Sequence, residues 1–221
     1  MKADPVDVAA RQKELIRAWC EKHDVEPFEP MPIRLLTERY LGKVADPAEF
    51  EGKTILEIGA GRSSYARLFL EAGCKRYYAN DLVPSRLEAI RVPDDRFVGL
   101  PSDFLGIEIP ERVDFIFANL VMMFVMPMLD EFIEKMHAHL RVGGRVITMD
   151  SNYLCPLSIL RRFVLDIGAN PARIFSPFAY ARRFRNFGFE VEKLVPFTGP
   201  VPWVTGNWLL GTTFFLRARK L

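Results

Sequence analysis

The 221-residue sequence predicts an α/β fold, with helices covering a mostly parallel sheet, and three observations carry that prediction. From Lys53 onward, short apolar runs alternate with helix-patterned segments, as strands joined through covering helices do. The first run leads through a glycine-punctuated turn into an amphipathic stretch, TILEIGAGRSSYARLFLEAG (Thr54 to Gly73). At 49% apolar residues, the chain is apolar enough to bury its own core, and its composition is not that of a disordered, collagenous or disulfide-built protein.

Upstream of the sheet, Pro5 to His23 and Pro32 to Leu41 pattern as helices. Thr54 to Ile58 is the first strand. Gly59 and Gly61 permit a tight turn and close approach to a ligand, Ser63 or Ser64 is placed to cap a helix beginning near Tyr65, and Gly73 stops that helix. Arg76 to Asn80, Arg96 to Leu100 and Val113 to Asn119 follow as strands two to four. A helix over Leu129 to Leu140 ends at Val142-Gly143-Gly144, a turn that starts the fifth strand, Arg145 to Met149. After Asp150 comes an amphipathic helix carrying Leu157, Leu160, Phe163, Val164 and Ile167 on one face. Ser176-Pro177 opens a further helix, Gly188 ends it before the strand Phe189 to Leu194, and Thr212 to Ala218 is a last β segment. Residues 1–50 thus form an N-terminal helical cap and residues 51–221 the sheet-bearing domain.

The three cysteines, Cys20, Cys74 and Cys155, have no metal-type spacing, so reduced thiols in a cytoplasmic protein are expected, with no metal site. The N-terminus has no uninterrupted apolar core of the secretory kind. The longest apolar stretch, Phe115 to Leu129, is interrupted by Asn119 and Pro127 and falls short of the ~20 residues a membrane span needs. Net charge is only +2, but it is unevenly spread: residues 1–150 carry 20 basic and 25 acidic side chains, residues 151–221 carry 10 and 3. That asymmetry fits either an anionic acceptor or surface near the C-terminal part or a merely solvated basic face.

A glycine turn leading into a helix holds nucleotides, and two remain open here: a dinucleotide, as in a nicotinamide-dependent oxidoreductase, or the adenosyl part of S-adenosylmethionine. Asp81, 22 residues after Gly59, is placed to accept from both ribose hydroxyls in either case. Ser64 stands where a dinucleotide fold prefers a third glycine, which counts against the nicotinamide reading. Glu57 at the end of the first strand, Ser102-Asp103-Phe104 after the third and Val142-Gly143-Gly144-Arg145 before the fifth favour the adenosyl reading.

With these pieces in order (LEIGAGRSS, NDL, SDF, VDFIFANL and HLRVGGRVITMD), the sequence resembles the class I S-adenosylmethionine-dependent methyltransferases, closely over residues 50–150 and more loosely over 176–219. The resemblance implies a doubly wound, mostly parallel seven-stranded sheet with helices on both faces and an antiparallel C-terminal strand, filled here by Thr212 to Ala218. It implies that Gly59, Ala60 and Gly61 approach the methionine part beside Glu57, and that Asp81 holds the ribose with Leu82 next to it. Asp103 would accept from the adenine amino group, Phe104 would flank the ring, and Asn119 and Leu120 would line the sulfonium region. Ser64 completes the donor set. S-adenosylhomocysteine is the product.

Methyl transfer from a sulfonium needs alignment and exclusion of water, with a base only where the acceptor must lose a proton. Asp150, just past the fifth strand, is the candidate base, with turn formation by Asp150-Ser151-Asn152 as the alternative. His137 and His139 fall on the helix leading away from the ligand edge. Met122, Met123, Met126 and Met128 suit a flexible pocket or plain packing. Family members recognise acceptors through their N-terminal helices and the insertion after the fifth strand, which implies residues 1–50 and 151–188 here.

Residues 151–185 mix arginines with aromatics, a composition suited to an anionic or lipid-linked acceptor or to peripheral contact with an anionic membrane. The stretch NPARIFSPFAYARRFRNFGFEVE is similar to uncharacterised methyltransferases associated with surface-glycan assembly, a resemblance that bears on context only. A small-molecule acceptor, methylated at a hydroxyl oxygen and taken from a glycan or lipid-linked intermediate, is the resulting expectation. Nucleic acid is disfavoured, because no RNA-binding module is appended. A methyltransferase-like binding protein without turnover is the remaining alternative, and the oligomeric state is not legible.

Overall fold

The computed structural model describes residues 5–23, 41–42, 44–61, 65–90, 92–164, 176–197 and 206–221. Seven strands form one sheet: β1 (Thr54–Ile58), β2 (Arg76–Asp81), β3 (Phe97–Pro101), β4 (Val113–Asn119), β5 (Leu140–Ser151), β6 (Phe189–Phe197) and β7 (Thr213–Lys220). Their order is β3-β2-β1-β4-β5-β7-β6. Pairing from β3 through β5 is parallel, and β7 runs antiparallel to both of its neighbours. The strand order reverses between β1 and β4, which opens a crevice at their C-terminal ends. Around the sheet lie α1 (Pro5–His23), α2 (Ala66–Glu71), α3 (Pro84–Glu88), α4 (Leu129–His139), α5 (Pro156–Val164) and α6 (Pro177–Asn186).

Side-chain alternation along the strands divides the core into two layers. Leu56, Ile116, Val146 and Leu216 pack with Phe132, Ile133 and Met136 of α4 and Tyr180 and Phe184 of α6. Their neighbours Ile55, Phe115, Ile147 and Phe215 face the other way, onto Phe69 and Leu70 of α2 and onto Leu41 and Phe50. Every residue of β1 is buried, as a central strand covered on both faces requires.

The structure departs from the sequence expectations at three places. Gly143 and Gly144 lie inside β5 instead of ahead of it. Val113 pairs with Leu140 and Phe115 with Arg145, so residues 141–144 bulge out opposite Asp114. A Cβ on Gly144 would sit 2.9 Å from the Arg141 carbonyl oxygen and 3.0 Å from that of Asp114, which explains the glycine there. The last strand, β7, is antiparallel as expected but lies between β5 and β6, so β6 takes the sheet edge. On α5, Leu157 and Leu160 face outward, 62% and 57% exposed, so this apolar side does not enter the core.

The expected helix over Pro32 to Leu41 falls, except for Leu41, outside the described residues, as do Ser63, Ser64 and Ile167.

Candidate functional site

The crevice at the C-terminal ends of β1, β2 and β4 is shaped by backbone geometry that the local sequence dictates. Gly59 (φ 65°) and Gly61 (φ 54°) occupy the left-handed region, where a side chain is strained. A Cβ on Gly59 would also collide with the Val121 side chain, so the turn and the segment after β4 touch at this point. The Gly61 N–H donates to Asp81 Oδ2 at 2.7 Å, and the Val83 N–H donates to Oδ1 at 2.8 Å. Asp81 therefore ties the glycine turn to the exit of β2 through both of its carboxylate oxygens.

One strand further out, Asn80 Nδ2 donates to the carbonyls of Leu100 (2.9 Å) and Ser102 (2.7 Å), setting the path by which β3 delivers Asp103. Asp103 Oδ1 accepts from the Leu105 N–H at 3.2 Å and starts a short 3₁₀ turn that buries Phe104. Its other oxygen is ion-paired with Lys13 of α1.

On the opposite wall, Asn119 Nδ2 donates to Tyr65 Oη at 2.7 Å, while the Asn119 Oδ1 is buried with no partner among the described residues. Leu120 follows at φ 56°, a left-handed conformation found at no other described non-glycine residue, held by donation from its N–H to the Met149 carbonyl at 2.7 Å. Such strain costs about 1–3 kcal/mol and persists where the surroundings over-determine it, commonly at ligand sites.

These elements enclose a cavity of 370 Å³. Of the residues expected at the donor, Gly59, Ala60, Gly61, Asp81, Leu82, Asp103, Phe104, Asn119 and Leu120 line it together. Ser64 lies outside the described residues. Glu57 is not among the lining residues. It is buried behind the turn, accepting from Tyr77 Oη and, at 3.4 Å, from the Tyr65 N–H. Asp150 is fully buried and also outside the lining; its Oδ1 accepts from the Met123 N–H at 3.2 Å, and its Oδ2 has no partner among the described residues. Burial pushes its carboxyl well above the usual carboxylate range. The same burial, with Asp150 nearby, pushes the Tyr180 phenol up as well.

Residues that sequence reasoning gave no donor role complete the cavity: Lys13, Ile16, Trp19 and Cys20 of α1, Arg86 of α3, and Val121, Phe124 and Val125, with Met123 and Met128 of the methionine group. Gln12 Nε2 donates to the Phe124 carbonyl at 2.6 Å, and the Trp19 ring meets that of Phe124 at 5.3 Å, so α1 roofs the crevice. The available signal was the stripe at 12/13, 16 and 19/20, which marks one face of a helix without saying what that face covers.

The strand order, the left-handed glycine turn and the carboxylate at the end of β2 define a nucleotide-binding α/β protein of the methyltransferase type. A family model described as a methyltransferase domain matches residues 30–194, and the chain belongs to that family. An uncharacterized methyltransferase from Geobacillus thermodenitrificans is 28% identical over 146 residues, 63% of this chain and 66% of the relative. A second, from Geobacillus kaustophilus, matches to the same extent. The match thus spans just under two thirds of the length of these curated relatives.

Among solved structures, an S-adenosylmethionine-dependent methyltransferase from Mesorhizobium loti superposes with TM-score 0.69 at 17% identity, over 84% of this chain and 98% of that one. Magnesium protoporphyrin IX methyltransferase from Synechocystis, which holds S-adenosylhomocysteine, gives 0.67 at 11% identity over 99% and 100%. At these identities the likeness establishes the fold.

The crevice suits S-adenosylmethionine, the donor that the sequence resemblance implies. Gly59 leaves backbone where a Cβ would collide, Asp81 supplies a carboxylate at the end of β2, and the Asn119 carbonyl oxygen has no partner among the described residues.

Proposed function

We propose that this chain methylates a hydroxyl oxygen of a small acceptor chiefly by alignment: the oxygen attacks the methyl carbon as the sulfonium C–S bond breaks, and the hydroxyl proton passes to water, with no side chain acting as base at the transfer point. The bound donor supplies an activated methyl group on a sulfonium. The observation that carries the reading is Asn119, a residue of the cavity lining whose amide nitrogen is occupied by Tyr65 while its carbonyl oxygen is buried with no partner among the described residues. An acceptor hydroxyl that donates to this oxygen would keep a lone pair free for in-line attack. Positioning of this kind contributes about 7–11 kcal/mol to such reactions.

In this reading Asp81 takes the ribose and Asp103 the adenine amino group, while Leu120 and Val121 shape the wall near the methyl group. Asp150 belongs to the frame: burial favours its neutral acid, and its Oδ1 holds Met123, a cavity residue, in place. A carboxyl outside the cavity lining is poorly placed to take a proton from an acceptor within it. The arginine–aromatic composition of residues 151–185 supports an acceptor that is anionic, a glycan or lipid-linked.

The test is incubation with methyl-labelled S-adenosylmethionine and fractionated cell extract, followed by mass spectrometry of whatever gains the label. A methyl ether on a small molecule is expected, and a methyl ester would point to a carboxylate acceptor instead. Label on protein, on nucleic acid or on nitrogen would overturn the acceptor assignment. Asp81→Ala should weaken S-adenosylhomocysteine binding by at least about tenfold in calorimetry, the effect of losing a charge-assisted hydrogen bond.

A further inference from the structure

We propose that the face formed by the start of α5, the 206–211 turn and the start of α6 docks on an anionic lipid bilayer. Tyr153, Leu157, Leu160, Phe178, Leu209 and Leu210 are between 46% and 62% exposed, an unusual concentration of large apolar side chains in water. They belong to one surface. Ser158 Oγ donates to the Thr212 carbonyl at 3.0 Å, Asn152 Nδ2 donates to the carbonyls of Trp208 and Gly211 at 2.7 Å each, and the Phe178 ring meets Trp208 at 4.9 Å. Three separate elements thus present their apolar side chains outward from a framework tied by hydrogen bonds.

Charge decides the occupant. Residues 151–186 contain six arginines, at 161, 162, 173, 182, 183 and 185, and a single acid, Asp166. On α6, Arg182 is exposed one turn after Phe178 and therefore shares its face, while the opposite face, with Tyr180, Ala181 and Phe184, is buried. Apolar side chains protruding beside Arg182, in a segment of basic composition, match the boundary between acyl chains and acidic headgroups. A second copy of this chain would set the basic patch at Arg182 against its like, since a two-fold contact repeats the same patch on both sides. A single strand of nucleic acid would call for aromatic stacking platforms, and four of the six apolar side chains are leucines.

The position of the face gives the docking a purpose. It begins where β5 leaves the sheet, and Ser151 Oγ lies 3.6 Å from the Sδ of Met123, a residue of the cavity lining. A bilayer held there would border the donor crevice, so an acceptor headgroup could enter while its lipid stayed in the membrane. No helix among the described residues is long and apolar enough to cross a membrane, so the contact proposed is peripheral. The inference rests on the lipid-linked reading of the acceptor, but binding to lipid is measured without methyl transfer, and the two fail separately.

The test is co-sedimentation of the full chain with vesicles of phosphatidylcholine alone or mixed with phosphatidylglycerol, at low and high salt. Binding to the mixed vesicles only, weakened by salt, is expected. Leu157→Ser/Leu160→Ser and, independently, Leu209→Ser/Leu210→Ser should each lower the partition coefficient about tenfold, as should Arg182→Glu, with the affinity for S-adenosylhomocysteine and the melting temperature retained. Absence of binding to mixed vesicles, or binding that both leucine pairs leave unchanged, would overturn the proposal. So would a dimer in light scattering that the leucine variants dissociate, which would assign the face to a second copy of the chain.

Discussion

Lys13 of the first helix is ion-paired with Asp103, just past β3, so the segment that precedes the sheet is fastened to the carboxylate expected at the adenine ring. Together with Gln12 on the Phe124 carbonyl, the pair closes α1 over the crevice. Both partners keep 26% of their side chains exposed, which places the contact among modest, salt-screened ion pairs. Lys13→Ala should therefore change the folding free energy by less than about 1 kcal/mol, yet speed release of S-adenosylhomocysteine by up to about fivefold. Stopped-flow dissociation at low and high salt measures this, and an unchanged rate would mean that α1 does not control release.

Gly59 and Gly61 share a left-handed backbone but differ in surroundings. An alanine at either position meets a conformational cost of about 1 kcal/mol or more. At Gly61 the nearest atoms to a new Cβ are 3.9 Å away, whereas at Gly59 the Val121 side chain is in the way. Gly59→Ala should be the more destabilising in urea melts and should abolish donor binding. Adding Val121→Ala should recover part of the loss at Gly59 and none at Gly61, a double-mutant cycle that isolates the collision.

Burial raises the Asp150 carboxyl above its ordinary range, and the sign of the consequence follows. The unfolded chain ionises this group near pH 4, whereas the fold resists doing so, so its contribution falls as pH rises through that range. Asp150→Asn resembles the neutral acid in shape and should melt higher than the parent at pH 8, with the gap closing as pH approaches 4. A gap of the same size at both pH values would show that the carboxyl does not titrate across this range.

Arg217 of β7 gathers distant parts of the chain. Its guanidinium donates to both oxygens of Glu49 (2.9 and 2.7 Å), to Glu192 (2.6 Å) and to the Val44 carbonyl (2.7 Å). Hydrogen bonding from Arg217 lowers the Glu49 carboxyl from 4.5 to about 2. The stability this supplies is present above pH 4.5 and is lost as pH falls toward 2. Arg217→Met should cost about 2–3 kcal/mol near neutrality, less than a fully buried pair because Glu49 remains partly in water. The cost should shrink in acid denaturation profiles toward pH 2.

Most of the sheet was legible because each strand carries its own signal. β1, β4 and α1 match their expected bounds, and β2, β3 and α4 differ by one residue at the ends, the scatter usual for hydrogen-bond-based assignment. The misreading of Gly143-Gly144 has a clear cause. A glycine pair after a helix reads as a turn, and only pairing with β4 reveals a bulge inside β5. The exposed leucines of α5 have the same origin, since periodicity reports that a helix has an apolar face and not which way it points.

What the sequence determined by itself was the donor side of the protein: the alternation of strands and helices, the glycine turn and the acids at strand ends are local patterns, read within a few residues of one another. The tertiary structure alone decided the rest. It set α1 over the cavity, placed Glu57 and Asp150 outside its lining, turned Leu157 and Leu160 of α5 outward and left the Asn119 oxygen without a partner among the described residues. Each of these depends on contacts between segments far apart in the chain, and such contacts leave no periodic trace in the residues that make them.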